Sequence, residues 1–201
     1  LVGLDRKVQI AKESLTFANG YTTVNSSAVE YTPVSGSYMV VAKGGGSIKA
    51  GQIADVDISD GIRIQGDYTT SDLSFGQRYT FTYKVSPLAP RMTAAGTATS
   101  ADTEGRTQIR KISFNHADTG YYKILVTPLA RATKTAIFTG AVVGSASTVI
   151  GSSRLSVGRF TSAVMSQNTT VGISVESDMP HPVALFSADW EGFYVKRSKQ
   201  I

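Results

Sequence analysis

The residues best equipped for covalent chemistry are few and scattered. There are two histidines, His116 and His181, and no cysteine, so disulfides, thiolate nucleophiles and thiolate metal sites are excluded. His116 lies in the turn-like segment Asn115-His116-Ala117-Asp118 and His181 between Pro180 and Pro182; both read as loop or surface residues. A serine hydrolase needs its nucleophile on a strained elbow with a base in reach, and no Gly-x-Ser-x-Gly occurs. Glycoside hydrolysis needs two carboxyl groups about 5–9.5 Å apart; Asp102, Glu104, Asp189 and Glu191 are candidates, with no motif around them. Asp55-Val56-Asp57-Ile58-Ser59-Asp60-Gly61 has the first acidic positions of a calcium loop. Its turn glycine falls one residue late, and Gly66 stands in place of the bidentate glutamate. A strand ending in an Asp-Gly hairpin accounts for the same residues. The phosphate-binding fingerprints are absent. The expectation is a protein that is not an enzyme, with no catalytic residue, no metal and no cofactor.

The charge pattern leaves two readings of its basic C-terminal cluster: a solvated tail, or contact with an acidic partner surface or with nucleic acid. Charged residues make up 17% of the 201, low against the usual figure of about 25%, and Ser, Thr, Gly and Ala fill the gap. Such a surface suits burial against other chains. The net charge is +5, dispersed except for Lys196, Arg197 and Lys199 at the end. No basic stripe interleaved with aromatics appears, so a dedicated nucleic-acid reader is not expected. No run approaches the roughly 20 apolar residues of a membrane span. The chain opens Leu1-Val2-Gly3-Leu4, which fits a portion of a longer protein or a processed chain.

The elements that must position these side chains are strands. Ile62 and Ile64 alternate with Arg63 and Gln65; Tyr79, Phe81, Tyr83 and Val85 with Thr80, Thr82 and Lys84; Tyr122, Ile124 and Val126 with Lys123, Leu125 and Thr127; and Val171, Ile173 and Val175 with Gly172, Ser174 and Glu176. Period-two alternation places one set of each run on a core face. Asn19-Gly20 and Asp60-Gly61 are hairpin signals. Thr119-Gly120, Thr139-Gly140 and Gly151-Ser152-Ser153 mark further turns, and Lys43-Gly44-Gly45-Gly46-Ser47 reads as a flexible tip. Residues 93–105 read as an exposed loop. No window carries a capped helical stripe, and the glycines and threonines of residues 130–158 argue against a helix there. The expected fold is all-β with very little helix: an antiparallel β-sandwich or two stacked small β subdomains. The division expected is an N-terminal subdomain over 1–88, a loop over 89–104 and a C-terminal subdomain over 105–201, with one continuous all-β domain as the alternative.

The last dozen residues concentrate aromatics and charges. Trp190-Glu191-Gly192-Phe193-Tyr194-Val195-Lys196-Arg197-Ser198-Lys199-Gln200-Ile201 combines a closing strand with Trp, Tyr and Arg, the residue types enriched at interface hot spots. This run resembles the C-terminus of the tail nozzle protein (tail tubular protein B) family of short-tailed podovirus bacteriophages. Gly105-Arg106-Thr107-Gln108-Ile109-Arg110, followed by Asn115 and Asp118-Thr119-Gly120-Tyr121, resembles a second block of that family. Gly158-Arg159-Phe160 and Leu73-Ser74-Phe75-Gly76-Gln77-Arg78-Tyr79 resemble two more. His116 stands where the family commonly has an aromatic, and Thr161 where it commonly has proline. The resemblance spans roughly residues 73–201.

The resemblance implies the C-terminal portion of a longer virion protein located in the tail. It implies a homo-oligomer, with sister subunits in a hexameric ring, an adaptor protein (tail tubular protein A), tail fibres, and viral DNA passing transiently through a conduit during genome ejection. Arg106, Arg110, Arg159, Trp190, Tyr194 and Arg197 are the residues expected at a subunit or adaptor interface, the arginines as bidentate partners of carboxylates. The alternative function is a receptor- or carbohydrate-binding module of a tail fibre or spike. A polysaccharide hydrolase is a further rival, through the carboxylates above.

Overall fold

Turn chemistry decides which of the alternating strands meet. The computed structural model describes residues 4–34, 37–93, 99–101, 105–140 and 154–196. Among these the helical elements are two 3-10 turns, Lys12–Ser14 and Ser26–Ala28. Every pairing between strands is antiparallel. The protein is all-β.

Seven strands form the first unit: β1 Asp5–Ile10, β2 Leu15–Ala18, β3 Tyr21–Val24, β4 Tyr38–Ala42, β5 Ile53–Asp57, β6 Ile62–Gln65 and β7 Leu73–Gln77. Their order in the sheet is β1-β7-β4-β5-β6-β3-β2. Ile10 from one edge strand and Leu15 from the other enter the same core cluster as Val40, Ile64 and Phe75 from the interior. A flat sheet keeps its edges far apart, so this one curls around its own apolar face. Asn19 (φ 53) and Gly20 (φ 82) supply the two left-handed residues of the β2–β3 hairpin, as their sequence requires.

The Asp60-Gly61 signal gives a longer connection, residues 58–61, in which Gly61 has φ 80. The reason is Asp57, whose carboxylate accepts hydrogen bonds from Ser59 N (2.9 Å) and Ser59 Oγ (2.7 Å). An acceptor facing its own backbone two residues on makes a turn of its own. That commits one of the carboxylates that resembled a calcium ligand.

The expected flexible tip at Lys43–Ser47 is instead a pinned turn. Gly45 and Ile48 exchange two backbone hydrogen bonds, Lys43 N donates to Asp72 O, and Thr70 Oγ1 donates to Gly45 O. A Cβ on Gly45 would lie 2.0 Å from Thr70 O. The glycines there allow close approach of two backbones rather than looseness.

The second unit is a sandwich of two sheets. β8 Phe81–Lys84, β12 Tyr121–Pro128, β13 Lys134–Thr139 and β15 Val171–Ser177 form one, in the order β13-β12-β15-β8. β11 Arg106–Thr119, β14 Ser156–Gln167 and β16 Ala184–Val195 form the other, in the order β14-β11-β16. Among the described residues the chain crosses between sheets at Gly120, at residues 168–170 and at residues 178–183. The inner faces share one core of Ile109, Ile112, Phe114, Tyr122, Ile124, Val126, Val164, Ile173 and Val175. β9 Arg91–Thr93 and β10 Thr99–Ala101 pair as a small ribbon, where the sequence reads as a loop. The expected turn at 151–153 lies outside the described residues.

One alternating run departs from its reading. Tyr79, Phe81 and Tyr83 are exposed; among the described residues β8, which carries the last two, is an edge strand with β15 as its one sheet neighbour. Period two reports that one face is apolar; it does not say whether the cover comes from the same chain.

The two units touch through polar and apolar contacts. Arg78 Nε donates to Asp178 O at 3.2 Å, and Lys123 Nζ sits 2.8 Å from Asp178 Oδ2. The lysine's hydrogen bond and charge hold the Asp178 carboxyl below its ordinary value. On the side of β4 away from its core, Val41 lines a cavity of about 280 Å³ with Leu155, Pro180, His181 and Pro182.

Candidate interaction surface

The geometry of the three-stranded sheet begins with a spacing irregularity. Ile109 and Ile112 both face the core, three residues apart, and strict alternation cannot place them there. Against β16 the two steps from Ile109 to Lys111 meet the single step from Gly192 to Glu191, which makes Arg110 a β-bulge; against β14 the same two steps meet three, from Ser166 to Ala163. The bulge shifts the phase of the strand. Ile109 points inward before it, and Ile112, Phe114 and His116 point inward after it, while Arg110 and Lys111 both point outward. Two adjacent cations therefore reach one anion: Lys111 Nζ lies 2.8 Å from Glu191 Oε2 and Arg110 Nη1 3.9 Å from Glu191 Oε1. The lysine's hydrogen bond and charge, with the arginine's charge, hold the Glu191 carboxyl below its usual range. The Arg110 guanidinium also sits 5.5 Å from the centroid of the Phe193 ring.

The rows along this outer face follow from the register. Asn115 stands between Arg159 and Ser187, Ser113 between Thr161 and Asp189, and Lys111 between Ala163 and Glu191. Arg159 Nη2 reaches across to Asp189 Oδ2 at 3.7 Å, and Asn115 Nδ2 donates to Ser187 Oγ (2.8 Å) and Asp189 Oδ2 (3.0 Å). Ser113 and Thr161 share a hydrogen bond of 2.8 Å. Beyond the charges the face turns apolar: Phe193 is 61% and Val195 64% exposed, next to Gln108 and Arg106 in the register. Exposed ion pairs gain little net stability, so these pairs orient side chains more than they hold the fold.

The expected interface residues thus divide between two faces. Arg106, Arg110 and Arg159 lie on the outer face. Trp190 pairs with Ile112 and packs half-buried on the second core. Tyr194 is half-buried, its ring lying where a Cβ on Gly105 would be, 2.1 Å from that position. Arg197 lies outside the described residues, as do Asp102 and Glu104. Lys111, Phe193 and Val195 share the outer face without being among the expected residues; the signal that places Lys111 there is the Ile109-x-x-Ile112 spacing.

Asp189 and Glu191, offered above as hydrolytic carboxylates, lie on this open face with cations beside them. A general acid needs its carboxyl raised, and that of Glu191 is lowered. Among the described residues no group of three His, Cys, Asp or Glu side chains is placed to hold a metal ion.

His116 corrects its reading as a surface residue. It is 1% exposed, with Nδ1 3.2 Å from Tyr122 Oη and Nε2 3.4 Å from Ser156 Oγ. Its ring lies 4.2 Å from that of Phe138 and 5.7 Å from that of Tyr122, so it fills an aromatic slot. Burial holds both His116 and His181 below the ordinary imidazole value of 6.5. The unfolded chain therefore takes up these protons first as the pH falls. Stability is complete above 6.5 and declines as the pH drops through that value toward the folded-state pKa values. Melting temperatures measured from about pH 8 to pH 5 are expected to fall, and less steeply for His116→Gln. An identical slope in that variant would contradict the assignment.

A second apolar feature lies along one side of the sandwich. Phe81 and Tyr83 of β8 face Leu185, Phe186 and Ala188 of β16 across a groove of about 400 Å³ that reaches down to Phe114.

Comparison with known proteins accords with the C-terminal motifs. The family model described as bacteriophage nozzle protein matches residues 1–201. The chain is 26% identical over 140 residues to the tail tubular protein gp12 of Escherichia phage T7, an alignment covering 70% of this chain and 18% of that protein. The aligned part of the chain therefore covers less than a fifth of the length of that relative.

Proposed function

The chain belongs to the bacteriophage nozzle protein family and is a structural component of a phage tail; from that premise we propose that it binds sister subunits and the adaptor ring into a rigid conduit for viral DNA, makes or breaks no bonds, and helps seat the tail fibres. The observation that carries this reading is the outer face of β14-β11-β16. It gathers Arg106, Arg110 and Arg159 with exposed Phe193 and Val195 on one stiff sheet. A conduit must also release its cargo, and each phosphate paired with Lys or Arg adds salt-dependent affinity. These arginines therefore serve carboxylates on neighbouring subunits and not DNA. Arg197 is assigned the same role.

The test uses the full-length protein carrying Arg110→Ala and Arg159→Ala together, and separately Arg197→Ala. Each variant is expected to keep its melting temperature and to lose about tenfold or more in the fraction incorporated into rings or tails, the effect of truncating one interface hot spot. Normal incorporation of both would overturn the reading.

A further inference from the structure

A sheet that stops leaves a row of backbone N–H and C=O groups without partners. Among the described residues the three-stranded sheet stops at two strands. β14 and β16 each have β11 as their sheet neighbour and no other among the described residues. Each is 12 residues long, and each runs antiparallel to β11, so the two outer strands run parallel to one another. Long edges of this kind invite another strand, and chains that stay alone blunt them with lysine or proline. Neither Ser156–Gln167 nor Ala184–Val195 contains either residue.

The side chains beside the two edges are complementary. β16 presents the anions Asp189 and Glu191 on the outer face, followed by Phe193 and Val195. β14 presents Arg159 on the same face, flanked by exposed Val157 and Met165. We infer that β16 of one copy pairs along its free edge with β14 of a second copy, so that the sheet continues head to tail as β14-β11-β16 followed by β14-β11-β16. This junction is parallel, because β14 and β16 already are. With Phe193 beside Met165 of the next copy, Asp189 stands two residues, about 7 Å, from its Arg159. A twofold pairing of β16 with β16 would oppose like charges and leave both β14 edges bare. Head-to-tail pairing satisfies both edges at once and, when its rotation closes, makes a ring. The groove between β8 and β16 opens on the same side as the β16 edge, so the incoming copy also covers Phe81, Tyr83 and Phe186.

The inference rests on the self-assembling tail component proposed above and specifies how its copies join. Benzoyl-phenylalanine is placed at Phe193, and separately at Val195, in the full-length protein; both side chains are largely exposed, so the fold tolerates the change. Assembled protein is irradiated, run on a denaturing gel and mapped by mass spectrometry. The expected result is a ladder of covalent multimers whose cross-links map to residues 156–167 of another copy. A ladder mapping elsewhere, or no ladder from rings that form normally, overturns the edge pairing and leaves the tail assignment standing. Unmodified protein that forms no ring under any condition and never enters a tail overturns the reading beneath it.

Discussion

Replacing Phe75 with alanine is expected to destabilise the seven-stranded unit by about 3–5 kcal/mol, the range for truncating a buried aromatic. Phe75 is fully buried on β7. Tyr38 stacks on it at 5.4 Å, with ring planes 8° apart, and Tyr31 lies 6.1 Å away, tilted 26°. Among the described residues the buried hydroxyls of Tyr31 and Tyr38 have no hydrogen-bond partner, so stacking and contact area, with the Arg6 guanidinium 5.9 Å from the Tyr31 centroid, fix those rings. Removing the central ring unseats both. We propose that the chain folds as two units meeting at residues 78–80, and the chain's single tryptophan makes that testable. Trp190 packs on the second core, so its fluorescence reports the sandwich alone. In Phe75→Ala, far-ultraviolet circular dichroism should show an early transition while Trp190 unfolds at its wild-type midpoint. Coincident unfolding of both signals would refute the division, and a loss below about 1 kcal/mol would refute the packing account.

Gly192→Ala is expected to cost about 1–3 kcal/mol, the usual range for forcing volume into a filled site, and to separate β16 from β11. Gly192 pairs with Ile109 beside the Arg110 bulge. A Cβ there would stand 2.3 Å from Gln108 O and 3.1 Å from Ile109 Cα. Both atoms belong to backbone and cannot rotate away. Gly105→Ala provides the contrast: its Cβ would meet the far end of the Tyr194 ring, a side chain and not backbone, so the cost is smaller. The Gly192 variant should lower the Trp190 unfolding midpoint and speed amide exchange along residues 184–195. Equal effects of the two substitutions would contradict this ranking.

Much of the fold was legible because alternation and turn residues act locally. Tyr122, Ile124 and Val126 face the core as their period requires, and Asn19-Gly20 makes its hairpin because few other pairs tolerate two left-handed residues. The C-terminal motif carried the family. What stayed hidden depends on contacts distant in sequence. The exposure of Phe81 and Tyr83 follows from β8 being the last strand of its sheet, and neighbour order is absent from a linear pattern. His116 is buried because a bulge six residues earlier shifts the phase of β11. Gly44, Gly45 and Gly46 read as loose when counted, yet they let one backbone rest against another. The same bulge placed Lys111 on the outer face, where alternation from Ile109 would have turned it inward.

The antiparallel pairing of β11 with both its neighbours has a mechanical corollary. Tension along the strands loads their rungs together in shear, and many must fail at once. A pull across the sheet peels them one after another from the rim. The second unit is therefore tough along one axis and weak along another. A tube wall assembled from it would last longest with that tough axis laid along the direction of thrust.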